Sequence, residues 1–301
     1  MEKQYHDYMV RALAAKEQIR AFAVTSKDAV EYARSLHHSS PLSTAALGRL
    51  LSAGLMMGDM MKSEDDLVTL QLMGDGPLKH VLVTADYTGK VKGYVSNPNV
   101  YLPNKENGHL DIASGIGKGT LTVIRDYHMK EPYSSTIDLV SGEIAEDLTY
   151  YFAQSEQTPS SVGLGVLVNP DETVECAGGF IVQLMPFTSE EVIDQLQRNI
   201  DEFTSVTDVL KQGKTPEELL EIILKGFDIQ FTGKKDVYFS CNCSQERGKQ
   251  VISTLGSAEI RKMVEEGKDI EAECVFCGKK YKYTPEELEE ILKELNENAA
   301  D

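Results

Sequence analysis

Two cysteine pairs near the C-terminal end constrain this chain more than any other feature. Cys241-Asn242-Cys243 and Cys274-Val275-Phe276-Cys277 are thirty residues apart and hold four of the five cysteines in 301 residues. Two close thiol pairs brought together across a loop make a tetrahedral all-sulfur site, and thiolate ligands select zinc or iron–sulfur. Cys-x-x-Cys is the usual zinc knuckle, and a closed four-ligand site is structural rather than catalytic. Cys-x-Cys does not match the usual cluster spacings, which favours zinc over iron–sulfur. The single intervening residue forces a tight turn if both sulfurs are to reach one ion. It also sets two thiols where, once metal is lost, they can oxidise to a small strained disulfide, and strained disulfides are the labile, regulatory kind.

The plainer reading of the same spacing is a structural zinc module with no redox role. A disulfide framework is disfavoured, because the sequence opens Met-Glu-Lys-Gln without an apolar signal segment and no oxidising compartment is expected. No histidine lies beyond His128, so a mixed Cys/His site in this region is excluded. Cys176 stands alone in Val174-Glu175-Cys176-Ala177-Gly178-Gly179 and reads as a small buried strand residue.

Charge narrows the partners. The net charge is −18, which argues against DNA or RNA, since phosphate binding is driven by Lys and Arg. Such a charge also keeps copies of the protein apart. Apolar stretches such as Ala53-Gly54-Leu55-Met56-Met57 are broken within a few residues, so no transmembrane span is expected. Hydrophobic and charged contents of 41% and 26% suit a globular protein long enough for two domains.

The pattern along the chain is α+β, with largely antiparallel pairing. Residues 1 to about 186 read as a mixed α/β domain. A helix is expected over Thr44 to Lys62, with Leu47, Leu50, Leu51, Leu55 and Met56 near helical spacing. Met56, Met57, Met60 and Met61 read as core fillers, with an adaptable binding surface as the sharper alternative. Alternation and turn residues place strands at Val68–Leu72, Val81–Asp86, Val91–Ser96, Thr120–Arg125, Ser135–Leu139, Gly163–Val168 and Gly179–Leu184.

Residues from about 187 to 236 read as a helical linker, short on core. Thr188-x-x-Glu191 reads as a capping box ahead of Val192, Ile193, Leu196 and Ile200. A short segment runs from Val206 to Lys211, and Thr215-Pro216-Glu217-Glu218 starts another helix. Residues 237–301 form a small C-terminal unit. Ser257 reads as the cap of a helix ending at Gly267, and Thr284-Pro285-Glu286-Glu287 repeats the start signal before Leu288, Ile291, Leu292 and Leu295. Units of this size have marginal cores. Structural zinc contributes about 10–16 kcal/mol of apparent binding free energy, so thiol oxidation would remove the ligands and that energy together.

Enzyme signatures are absent. Gly115-Ile116-Gly117-Lys118-Gly119-Thr120 lacks the spacing of a P-loop and reads as a flexible turn. There is no Gly-x-Ser-x-Gly and no His-Glu-x-x-His. The adjacent His37-His38 reads as surface, and the cluster Glu143, Glu146 and Asp147 reads as a solvated acidic face.

Several longer segments carry a resemblance over the whole length. They are Tyr94-Val95-Ser96-Asn97-Pro98, Val140-Ser141-Gly142-Glu143, Ser155-Glu156-Gln157-Thr158-Pro159-Ser160-Ser161-Val162-Gly163, and Gly178-Gly179-Phe180-Ile181-Val182-Gln183-Leu184-Met185-Pro186. With the cysteine arrangement and a mass of 33.3 kDa, the chain resembles the redox-regulated 33-kDa heat-shock chaperones. The resemblance implies a cytoplasmic holdase that needs no ATP and has no catalytic residues. It implies one zinc held by Cys241, Cys243, Cys274 and Cys277 in a reduced, inactive form. It further implies that oxidation, often with heat, expels zinc and joins Cys241 to Cys243 and Cys274 to Cys277. The zinc domain and linker then unfold, and a homodimer holds unfolding client proteins. Cys176 is not part of the family pattern.

Two other functions compete. A thiol enzyme would need an exposed, low-pKa thiol that turns over, and four thiols tied to one metal serve that poorly. A zinc ribbon for nucleic acid is disfavoured by the acidity of the C-terminal region.

Overall fold

The computed structural model describes residues 6–298. Among them the chain packs as two units, one running to Ser240 and the other starting at Cys241.

In the first unit, β1 (Tyr8–Ala14) and β2 (Ile19–Thr25) form a hairpin, followed by α1 (Lys27–His37) and α2 (Pro41–Asp59). β3 (Leu67–Gly74), β4 (His80–Asp86) and β5 (Lys90–Val95) make an antiparallel meander. Next come α3 (Ile112–Ile116), β6 (Gly119–Asp126), β7 (Tyr133–Asp138), α4 (Ala145–Ser155), β8 (Ser160–Val168) and β9 (Val174–Leu184). The seven strands expected from alternation fall on β3 to β9, with Ser96 and Leu139 each one residue past the end of its strand.

The residues expected as a helical linker form α5 (Glu190–Glu202), α6 (Val206–Lys211) and α7 (Pro216–Ile223). Beyond them the chain turns extended, as β10 (Ile229–Asp236) and β11 (Tyr238–Phe239). The strands form a five-stranded sheet ordered β10-β1-β2-β9-β8 and a six-stranded sheet ordered β11-β5-β4-β3-β6-β7. Pairing is antiparallel throughout except for β11 on β5.

α2 is the shared core element, packing against strands of both sheets. It starts three residues earlier than expected because Ser40 caps it and Pro41 occupies the first turn. From Leu42 to Asp59 every residue but Arg49 is buried, as befits a helix apolar on all sides. At Gly54 a Cβ would lie 2.7 Å from Val83, so only glycine permits this approach of helix to sheet. Met56, Met57 and Met61 are fully buried and Met60 packs against the same core, as gap fillers do.

Several local expectations are corrected. Thr188 does not cap α5. Its hydroxyl donates to the carbonyls of Met185 and Gln18, and the helix starts one residue later behind Ser189. Gly115 to Thr120 is not a loose turn: it closes α3 and docks on the Gly74–Gly76 turn, with the Gly76 N–H bonded to Ile116 O and the Lys118 N–H to Asp75 Oδ1. Asp147 is not solvated. It is fully buried and accepts N–H bonds from Val140, Ser141 and Ile144, which hold the loop ahead of α4. Glu143 is half-buried and paired with Arg49 and Lys105, which, with hydrogen bonds from both, hold its carboxyl below the usual range against the opposing effect of burial.

The 187–236 segment also has more core than its sequence suggested. Leu196, Val206, Val209, Leu210, Leu219, Leu220, Ile223 and Leu224 are buried. They form one cluster with Val10, Ala12, Ala21, Ala23, Phe180 and Val182 of the five-stranded sheet. Burying a side chain of this size contributes about 1.5–3 kcal/mol. The Thr215–Glu218 capping box forms as expected, with reciprocal bonds of 3.2 and 2.9 Å. On β10, Lys235 bonds the buried Asp59 at 2.6 Å.

The second unit contains α8 (Gln245–Ser253), α9 (Ser257–Glu266), the antiparallel pair β12 (Ile270–Glu273) and β13 (Lys280–Tyr283), and α10 (Pro285–Asn298). The cap of α9 is Gly256 rather than Ser257, whose hydroxyl bonds Asn296. The Thr284–Glu287 box forms. The fully buried apolar core here is small: Ile252, Ile260, Tyr283, Leu288 and Ile291.

Candidate metal centre

The loop joining β12 to β13 is a knuckle of the kind the Cys-x-x-Cys spacing predicts. The Cys274 N–H bonds Lys279 O at 2.9 Å, and the N–H groups of Cys277 and Gly278 turn back to Cys274 O at 3.2 and 2.8 Å. Gly278 sits at φ +67°, a conformation glycine adopts without penalty, and this closes the turn. Cys274 and Cys277 therefore project from one tight loop. The other pair lies in the extended segment just before α8. Ser244 follows Cys243 and caps that helix, accepting the Arg247 N–H at 3.2 Å, which anchors the Cys-x-Cys turn.

The fold brings all four cysteines together. Their sulfurs all lie within 4.8 Å of one another. Cys241 and Cys274 are 3.7 Å apart, and Cys243 and Cys277 are 3.4 Å apart. A tetrahedral zinc with sulfurs at about 2.3 Å has ligand–ligand edges of roughly 3.8 Å. The two measured edges are close to that value, and all four are free thiols, each half-buried.

The thiols differ electrostatically. Burial pushes Cys277 up to about 12 and raises Cys241. Burial also acts on Cys243, but the Tyr281 hydroxyl and the neighbouring cysteines outweigh it and bring Cys243 down to about 7. Tyr281 lies on β13 and donates its phenolic proton to Cys243 Sγ at 3.2 Å. Sequence reasoning passed over Tyr281. The signal was the alternation Lys280-Tyr281-Lys282-Tyr283 directly after the knuckle, which puts both tyrosines on one face. Cys176 is elsewhere, on β9 of the first unit, buried, with its thiol pushed up to about 11 by that burial.

A family model described as "Hsp33 protein" matches residues 7–284. The chain belongs to the Hsp33 family. It is 53% identical to the 33 kDa chaperonin of Agathobacter rectalis over 95% of this chain and 99% of that one. It is 49% identical to the 33 kDa chaperonin of Clostridioides difficile over 96% of this chain and 99% of the relative. The crystal structure of the Hsp33 homologue of Thermotoga maritima, also a 33 kDa chaperonin, superposes with a TM-score of 0.87 at 36% identity, covering 97% of this chain and all of that one. Membership in the Hsp33 family makes this a chaperone, one whose four clustered cysteines can hold a metal ion. Among the described residues no helix is long and apolar enough to cross a membrane.

Proposed function

We propose that this protein is a redox-regulated, ATP-independent holdase, kept inactive by zinc on Cys241, Cys243, Cys274 and Cys277 and activated by oxidation of those thiols. The observation that carries the reading is the four-sulfur set, all within 4.8 Å of one another, in a unit with five fully buried apolar side chains among its described residues. When bound, zinc supplies about 10–16 kcal/mol of apparent binding free energy, more than so small a core provides.

The chain's own steps follow. Each cysteine pair gives two electrons to one peroxide. The first thiolate attacks the O–O bond, leaving a sulfenic acid and hydroxide. The second displaces hydroxide from that sulfur and closes a disulfide. Pairing within the loops, Cys241 to Cys243 and Cys274 to Cys277, removes all four ligands. The second unit then loses its stabilisation and unfolds, and residues 187–236 unfold with it. The apolar face of the five-stranded sheet under α5, α6 and α7 is the surface that release would bare, and it suits unfolding clients. The active form acts as a homodimer in the cytoplasm, without nucleic acid.

The test follows metal release during peroxide treatment at raised temperature, with client light scattering on the same sample. About one zinc per chain should leave as four thiols disappear, with scattering suppressed only afterwards. Zinc that stays, or leaves without protecting the client, makes the site structural and defeats the proposal.

A further inference from the structure

The phenol of Tyr281 lies 3.2 Å from Cys243 Sγ and is oriented to donate to it. Three features hold it there. Tyr283, two residues on and on the same face of β13, is fully buried, and its hydroxyl is bonded to Gln245 O at 2.9 Å, so the strand cannot rotate. Opposite Tyr281 on β12 is Ala272, whose small side chain leaves the ring its place. The Lys279 ammonium lies 5.1 Å from the centre of the Tyr281 ring, where its charge attracts ring electron density and strengthens the O–H as a donor. Cys243 therefore receives a side-chain hydrogen bond from a group that is itself braced on three sides.

We propose that Tyr281 is a positioning residue of the metal centre. Its hydroxyl holds Cys243 Sγ in the tetrahedral set and withdraws electron density from that sulfur, making Cys243 a less nucleophilic thiolate than it would be without the bond. This rests on the zinc reading above. Once zinc holds all four sulfurs as thiolates, their protonation no longer distinguishes them. Nucleophilicity then depends on the electron density each sulfur keeps, and a hydrogen-bond donor lowers it. Outer-shell partners of this kind also orient a ligand, and losing one costs about 10–100-fold in metal affinity.

The experiment compares zinc-loaded full-length wild type, Tyr281→Phe, and protein carrying 3-fluorotyrosine at position 281. Modification by N-ethylmaleimide is followed at each cysteine by mass spectrometry, and zinc affinity by competition with a chelator. Phenylalanine keeps the ring and removes only the hydroxyl. It should speed modification at Cys243 several-fold relative to Cys241, Cys274 and Cys277, and weaken zinc binding about 10-fold, the lower end for an outer-shell partner. Fluorotyrosine keeps the fold and makes the hydroxyl a stronger donor, so it should slow Cys243 alone. Unchanged relative rates in both variants overturn the proposal. So does an equal rise at all four cysteines, which reports a loosened unit rather than a tuned sulfur. A wild-type chain that takes up no zinc defeats the zinc reading and the metal-centre role of Tyr281 with it, an outcome distinct from zinc uptake with unchanged relative rates, which overturns the role of Tyr281 alone.

Discussion

Asn199 of α5 donates its side-chain amide to the carbonyl of Ile223, the last residue of α7, at 3.0 Å. The same amide bonds Lys225 O at 2.8 Å, from a position only 7% exposed. The last carbonyls of a helix have no partner within it, so a buried helix end needs a donor from elsewhere. Asn199→Ala takes the donor from the buried carbonyl of Ile223 and from the partly buried carbonyl of Lys225, at a cost of about 1–3 kcal/mol. Hydrogen exchange in α5 and α7 of the reduced protein should speed up, and client protection should begin at lower temperature or oxidant. Unchanged exchange in α7 would mean the bond does not hold the segment.

Cys176 reports on the same segment. Its thiol lies 3.7 Å from Thr207 O of α6 and is buried among α6 side chains. Burial, with Glu175 adding to it, pushes the thiol up to about 11, so little thiolate exists at neutral pH. In reduced protein near pH 7.5, N-ethylmaleimide should leave Cys176 unmodified. After oxidation releases α6, Cys176 should react. Cys176→Val should leave zinc content and client protection unchanged, and a loss of either would show a role for this thiol that packing alone does not supply.

Metal removal should divide the protein within its first unit. A chelator strong enough to strip the four cysteines should unfold the unit from Cys241 onward, with residues 187–236 following it, and leave the part built around α2 folded, because that part has its own large core. The check is a partial loss of far-ultraviolet dichroism, with the methyl resonances of Leu47, Leu50 and Leu51 unmoved. A single cooperative collapse of the whole chain would contradict it.

Asp7 sets a pH dependence. It is 3% exposed, and burial lifts its carboxyl from 3.8 to about 7, against the bond from the Ala29 N–H at 2.9 Å. A folded pKa above the unfolded one means the folded state binds the extra proton. The stabilisation is complete below about pH 4 and is lost as pH rises towards 7, after which both states are ionised and the contribution is flat. Asp7→Asn, which keeps an acceptor for Ala29, should gain stability relative to wild type across that window, by an amount on the order of a few kcal/mol. Thermal unfolding of both proteins between pH 4.5 and 8 gives the comparison. A difference independent of pH would show that Asp7 is not protonated in the folded chain.

Legibility in the sequence followed periodicity and local chemistry. β3 and β4 alternate cleanly because one face meets α2, and α6 and the Thr215 cap match their sequence signals. β1 and β2 went unseen because each carries two alanines among its seven residues, and alanine favours helix over strand, while β2 is buried from Ala21 to Val24 without alternation. β10 was missed because an edge strand buries little: Ile229 to Asp236 is half-buried or exposed throughout, and only pairing with β1 makes it a strand. Asp147 looked like any acid in an acidic chain. Its burial depends on three N–H groups of a neighbouring loop, which composition does not report.

The sequence by itself determined which thiols lie close together in pairs, because covalent spacing within Cys241-x-Cys243 and Cys274-x-x-Cys277 limits how far each pair of sulfurs can part. It also determined β3 to β9 and the Thr215 and Thr284 capping boxes, whose signals lie within a few residues. Only the tertiary structure decided that residues 187–236 cover the five-stranded sheet, that Asn199 closes the end of α7, and that Tyr281 is the hydroxyl that meets Cys243. Those contacts join residues far apart in the chain, such as Asn199 and Ile223, 24 positions apart, or turn on which face of a short strand meets the four sulfurs. Such pairings come from the packing of elements against one another, and no local pattern of residues encodes them.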